Sequence, residues 1–232
     1  MAKTKRLSLS MTGREKLLGF GYALIDLFFL PAMLNGMNSL LIRPLSAAWI
    51  NFLYFSLNFV FLIAIFHRFL KRSLGYAGKH IPEFFSAAVL GFAVYWVANV
   101  SLSFVILQFF PNYANPNDGS IADMTGSNFP IMAVGTVLFV PMAEELIHRG
   151  LVFGSLLPKN KAVAYIVSAC FFAAIHVVGY MGTTSDLSLA LAFVQYLPAG
   201  LVLGWAYEKS GTIFAPIVIH MVVNAMGIYA MR

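Results

Sequence analysis

The sequence predicts an all-α protein, a polytopic transmembrane helix bundle of about seven spans with its N-terminus in the cytoplasm. Three observations predict it. Hydrophobic residues make up 60% of the 232 residues and charged residues only 10%, where a soluble domain carries about 25% charged residues. The mean hydropathy is +0.81. Apolar runs near the roughly 20 residues needed to cross a bilayer recur along the whole length, separated by short polar connections. The length suits a single integral membrane domain, 1–232.

Taken in order, the first run covers 17–41. It contains Asp26 and an internal Pro31, which predict a bend or a partly re-entrant course. A basic stretch precedes it, but no small-residue cleavage site follows a short apolar region, so it is read as a retained span. The second run, 49–67, leads into RFLKRSLGYAGKH (68–80), basic with interleaved apolar residues. That segment reads as an interfacial cytoplasmic loop or short helix meeting anionic headgroups, with His67 and His80 solvated. The third run is 84–109. PNYANPNDGSIADMTGSN (111–128) then reads as an irregular connector outside the membrane, with two aspartates and no Lys or Arg. The fourth run, 130–156, places Pro141 shortly before Glu144 and Glu145, where it predicts a kink. Runs 162–180, 188–207 and 212–231 complete the seven.

Charge sets the orientation. Lys3, Lys5, Arg6, Arg14, Lys16, Arg68, Lys71, Arg72, Lys79, Lys159, Lys161 and Lys209 fall on one side, and only Arg43 and Arg232 on the other. Such an excess marks the cytoplasmic face. The net charge of +6 is thereby explained by topology, and nucleic acid is not expected as a partner. The single cysteine, Cys170, excludes an internal disulfide and reads as a small buried hydrophobe. The 22 phenylalanines, spread through every span, read as packing and lipid contact.

The informative residues are the polar ones inside apolar runs: Glu144, Glu145, His148 and Arg149 in the fourth, His176 in the fifth, His220 and Asn224 in the seventh. Ionisable groups at membrane depth are costly, and groups on separate spans cost less when they meet in the bundle interior. At about 100° per residue, Glu144 and His148 share one helix face, Glu145 and Arg149 the neighbouring face, and His220 and Asn224 a third. Depths counted from the expected cytoplasmic ends are roughly 18 Å for Glu144, 21 Å for His176 and 12 Å for His220, compatible with one layer only if the ends shift. Asp26 has no polar companion in its own span.

A carboxylate in such a site can act as general base, an imidazole can hold a water, and a second imidazole with an amide can donate to an oxyanion. Together these describe amide hydrolysis. Glu144, His176 and His220 also form an oxygen-plus-two-nitrogen set of the kind that holds a catalytic divalent metal such as zinc. Spacing alone leaves both readings open. Arg149 reads as the partner that positions a glutamate, and His148 as a satisfied helix histidine.

EELIHRG (144–150) resembles the EExxxR motif of the CPBP intramembrane protease family, which includes the type II CAAX prenyl endopeptidases and the Abi bacteriocin-immunity proteins. Phe172 and His176 match its FxxxH motif, and His220 with Asn224 its third, so that 130–231 carries all three in the family's order. The resemblance implies an intramembrane endopeptidase. It assigns Glu144 to water activation with His176 helping, Glu145 and Arg149 to support, and His220 and Asn224 to an oxyanion pocket. It leaves the cofactor as none or a divalent metal, with metal-free chemistry favoured by the His220–Asn224 pair. His148 departs from the Phe common at that position.

The expected partners are membrane lipids and a hydrophobic or membrane-anchored peptide or protein substrate, and the expected location is a bacterial cytoplasmic membrane. Bacteria generally lack prenylation, so a peptide pheromone, bacteriocin or membrane protein is expected before a prenylated tail. Two other function classes compete: a non-catalytic immunity or regulatory protein of the same fold, and a proton-coupled transporter, the latter disfavoured by the absence of internal repeats.

Overall fold

Long apolar stretches with few helix breakers satisfy their backbone polar groups within themselves, the requirement for crossing lipid. Residues 10–232 are described by a computed structural model, and no strand occurs among them. The helices are α1 Gly13–Phe28, α2 Leu30–Ser39, α3 Ala47–Lys79, α4 Ile81–Phe109 and α5 Pro116–Ser127. They continue with α6 Phe129–Leu156, α7 Lys161–Val178, α8 Asp186–Ser210 and α9 Phe214–Ala230. Helices α3, α4, α6, α7 and α8 are each long and apolar enough to span a membrane. The α1–α2 pair, bent by 43° beside Pro31, makes a sixth if counted as one span. The seventh run forms α9, a shorter apolar helix of 17 residues. Among the described residues five or six helices are thus long and apolar enough to span, where seven spans were expected. Lys3, Lys5 and Arg6, used for orientation, lie outside the described residues.

Two connectors between the expected spans are helical. The basic segment 68–79 simply extends α3 to 33 residues, about 50 Å at 1.5 Å per residue. It stays helical because Leu62, Phe66, Phe69 and Ser73 keep three- and four-residue spacing on one buried face. The outer segment contains α5, capped by Asn115, whose side chain accepts from Asn117 N, with Pro116 opening the first turn. The same Asn-Pro pair that signals a turn also signals a helix start.

Helix α6 packs against α3, α7, α8 and α9 and is the centre of the bundle. Its core partners on α3 are Leu62, Phe66 and Phe69, against Leu146, Leu151 and Phe153 of α6. Lipid is as apolar as these side chains, so close packing and polar links hold the helices together. At Gly200 of α8 an added Cβ would lie 2.6 Å from the Ala169 Cα of α7, and at Gly91 of α4 it would lie 2.6 Å from Ile219 of α9. Ser73 latches the start of α9 to α3, with its Oγ accepting from Ile213 N at 3.0 Å and its carbonyl from Thr212 at 3.2 Å. Glu15 caps α1 through Thr12 and pairs with Arg72 at 2.9 Å. Outward faces bear Val97, Phe104, Ile166 and Leu201, exposed as lipid-facing side chains are. By its helices this is an integral membrane protein.

Candidate active site

The local structure of α6 sets the site. Val140–Glu145 is an α-helical turn and a half between two π-helical stretches, Gly135–Phe139 and Leu146–Phe153. Pro141 cannot donate to the ladder, and the widened turns take up that defect, so α6 runs through it as one helix. A π stretch carries an extra residue per turn, which defeats the 100° count. Glu144 lines an internal cavity, but His148 does not share its face. His148 is buried with its ring against Phe171 and Phe172, and its carbonyl accepts from Ser168 Oγ at 3.1 Å.

Glu145 and Arg149 are both fully buried. Glu145 Oε1 accepts from Arg149 Nη1 at 3.0 Å and faces His220 Nδ1 at 2.9 Å. Arg149 Nη2 donates to the carbonyls of Ala199 and Gly200, each at 3.3 Å, and its guanidinium lies 4.4 Å over the Phe172 ring. Helices α6, α8 and α9 are thus joined through one carboxylate and one guanidinium. Arginine suits this place because its planar fork serves several acceptors without losing its charge.

Glu144 has a different environment. Its side chain is 24% exposed, toward the cavity, and Oε2 has no hydrogen-bond partner among the described residues. His176 Nε2 lies 3.8 Å from that oxygen and His220 Nε2 lies 3.9 Å from it. The other ring nitrogens fix the tautomers. His176 Nδ1 meets the Phe172 carbonyl at 2.8 Å, and a carbonyl only accepts, so Nδ1 carries the proton. His220 Nδ1 meets the Arg149-paired carboxylate of Glu145 and carries its proton likewise. In their neutral state both rings therefore turn a lone pair toward Glu144. His220 in this state accepts rather than donates there, and it becomes an oxyanion donor only once protonated. Asn224 Nδ2 donates one proton to the Thr136 carbonyl at 2.9 Å, leaving its second for the cavity it lines.

Glu144, His176 and His220 were expected to converge, and the bundle brings them together. As they stand, Glu144 Oε2 lies 3.8 and 3.9 Å from the two imidazole nitrogens, slightly wider than bound zinc ligands. Ligand bonds of about 2.0–2.2 Å require tetrahedral donors within roughly 3.6 Å of one another. Among the described residues no group of three His, Cys, Asp or Glu side chains closes to that degree. Two imidazole nitrogens just under 4 Å from Glu144 Oε2 leave room for a water hydrogen-bonded to all three.

The cavity measures about 850 Å³ and runs from this cluster to α5. Its rim holds residues that the motifs gave no reason to select. Tyr196 of α8 stacks on the His176 ring at 4.2 Å. Its hydroxyl accepts from Asn117 Nδ2 at 2.9 Å and donates to Asp118 Oδ1 at 3.4 Å. Gln195 accepts from Tyr113 at 2.8 Å and Asn115 at 3.0 Å, and donates to Ser103 at 3.2 Å. The polar pair Gln195–Tyr196 within an apolar run, and Asn99 and Ser103 four residues apart on α4, were the available signals. Asp26 finds its polar companions on α3, where it faces Tyr54 and Asn58.

Comparison with known proteins finds matches over part of the chain. Residues 126–226 match the family model described as type II CAAX prenyl endopeptidase Rce1-like. The UPF0177 protein YxdF of Lactococcus lactis is 28% identical over 113 residues, 48% of this chain and 56% of that protein. The membrane-embedded CAAX protease MroQ of Staphylococcus aureus is 27% identical over 147 residues, 59% of this chain and 54% of that protein. The match thus spans little more than half the length of either relative. No solved structure matches. The matched segment contains Glu144, Glu145, Arg149, His176, His220 and Asn224, and over it the chain is similar to the type II CAAX prenyl endopeptidase Rce1-like family.

Proposed function

We propose that the protein is an intramembrane endopeptidase that hydrolyses a peptide bond in a hydrophobic or membrane-anchored peptide. The observation that carries this reading is the unpartnered Glu144 oxygen, faced by the free nitrogens of His176 and His220 at the wall of a cavity large enough for a peptide segment. The family match and the likeness to MroQ support it.

In this mechanism a water sits between Glu144 Oε2 and the two imidazoles. Glu144 takes one of its protons as the oxygen attacks the scissile carbonyl carbon, forming the C–O bond. The carbonyl oxygen becomes an oxyanion stabilised by the free Asn224 amide proton. The C–N bond then breaks, and Glu144 returns its proton to the leaving nitrogen. Arg149 positions Glu145 and makes no contact with the reaction.

The substrates we infer are a peptide pheromone, a bacteriocin or a membrane protein, met in a bacterial cytoplasmic membrane with the N-terminus inside. The test is cleavage of a hydrophobic peptide library by protein reconstituted in vesicles. Wild type should cleave, the Glu144→Ala and His176→Ala variants should not, and cleavage should persist after chelation of divalent metals. Cleavage by both variants would sink the peptidase reading. A stoichiometric metal whose removal stops cleavage would overturn the metal-free mechanism. Proton flux into vesicles that disappears with Glu144, without cleavage, would favour the transporter.

A further inference from the structure

The cavity rim has one charge with no counter-charge. Its amides and hydroxyls satisfy one another: Gln195 is engaged on both sides, and Asn117 donates to Tyr196 while accepting from Tyr180 at 3.3 Å. Asp118 receives a single long hydrogen bond, from Tyr196 Oη at 3.4 Å, and remains accessible from the cavity. Among the described residues that line the cavity there is no Lys or Arg, while Tyr95, Tyr180 and Tyr196 line it together with Asp118. A carboxylate beside aromatic rings, in a cavity without positive charge, attracts an ammonium or guanidinium group. Its place in the first turn of α5 also suits the helix dipole. That role alone would be served equally by a side chain turned to bulk water, yet this one opens on the cavity.

Resting on the peptidase reading above, we infer that Asp118 is a specificity residue that receives a Lys or Arg side chain of the substrate. The length of one tyrosine side chain, Tyr196, separates it from His176. At about 3.3–3.6 Å per extended residue, the cationic side chain falls two or three residues from the scissile bond. The preference belongs to α5, outside the segments that carry the motifs.

The experiment separates binding from turnover. A fluorescent hydrophobic peptide carries a single Lys moved residue by residue, with Ala and Glu versions at each place. Binding is measured to Glu144→Gln protein in detergent, where no cleavage intervenes. One or two Lys positions should bind roughly 10-fold more tightly than their Ala counterparts, and the Glu versions should bind more weakly still. Adding Asp118→Asn should erase the Lys preference, Asp118→Lys should reverse it toward Glu, and Asp118→Glu should keep it. A preference that persists in Asp118→Asn, or no Lys preference at any position, overturns the inference. Cleavage assays with the wild type complete the separation. Equal cleavage of Lys and Ala peptides sinks the inference and leaves the peptidase reading intact. Selective Lys binding without cleavage sinks the peptidase reading and leaves the cation subsite.

Discussion

Two clusters in this bundle are built around carboxylates, and they are satisfied in opposite ways. Around Glu145 the chain supplies its own counter-charge: Arg149 and His220 converge on Oε1, and the arginine reaches two carbonyls of α8. Around the cavity, Glu144 and Asp118 have no Lys or Arg partner among the described residues, and two imidazoles face Glu144. The contrast teaches how one helix can carry adjacent glutamates without making them equivalent. The closed cluster holds three helices in register, and the open one leaves acceptor atoms for water and substrate.

The largest expected effect comes from opening the closed cluster. Arg149→Ala leaves the Glu145 charge buried and uncompensated, and should cost about 3–5 kcal/mol of stability. Glu145→Ala should cost a similar amount, while replacing both by apolar residues of similar volume should recover much of the loss, all read by thermal unfolding in detergent. If the single variants melt like wild type, Glu145–Arg149 is not the joint described here. Next is Asn224→Ala, which removes both the tie to the Thr136 carbonyl and the oxyanion donor proposed above. It should lower kcat by about 10²-fold with little change in KM, and an effect confined to KM would count against that role. Gly200→Leu forces α7 and α8 apart at Ala169 and should cost about 1–3 kcal/mol. Loss of Arg149's contacts with the Ala199 and Gly200 carbonyls should then lower activity more than the melting shift alone explains.

The smallest effect is a pH signature of the open cluster. Burial in the cavity pushes the Asp118 carboxyl above its usual range, against the opposing pull of the Tyr196 hydrogen bond and nearby His176. A raised carboxyl favours the fold while protonated, and that contribution is lost as pH rises through the folded-state value. Asp118→Asn should therefore match wild type at acid pH and gain in relative melting temperature toward neutral pH. A difference constant from about pH 3 to pH 7 would contradict the raised value.

Much of this was legible in the sequence. The motif residues could be picked out because Glu, His and Asn are expensive inside apolar runs, and the cost is paid only where they meet. The count of apolar runs also gave the order of the helices. What was hidden depended on backbone detail. The π stretches in α6 move His148 off the Glu144 face, and no propensity marks them. The continuation of α3 through 68–79 was masked by its lysines and arginines, although Phe69 and Ser73 kept the helical spacing. The rim escaped notice because Asp118, Tyr196 and Gln195 are ordinary singly and become a site only when α5 folds over α8. His220 was read as an oxyanion donor, but its tautomer follows from a hydrogen bond to Glu145 across two helices.

The most direct test of the central claim sets Glu144→Gln beside Glu145→Gln in one preparation, measuring thermal unfolding and peptide cleavage for each. The account predicts that Glu144→Gln unfolds within about 1 kcal/mol of wild type while cleavage falls by at least about 10³-fold. It predicts that Glu145→Gln is the variant that loses stability. Wild-type cleavage by Glu144→Gln, or a loss of stability that follows Glu144 and spares Glu145, would contradict the assignment of the open carboxylate to chemistry and the closed one to architecture.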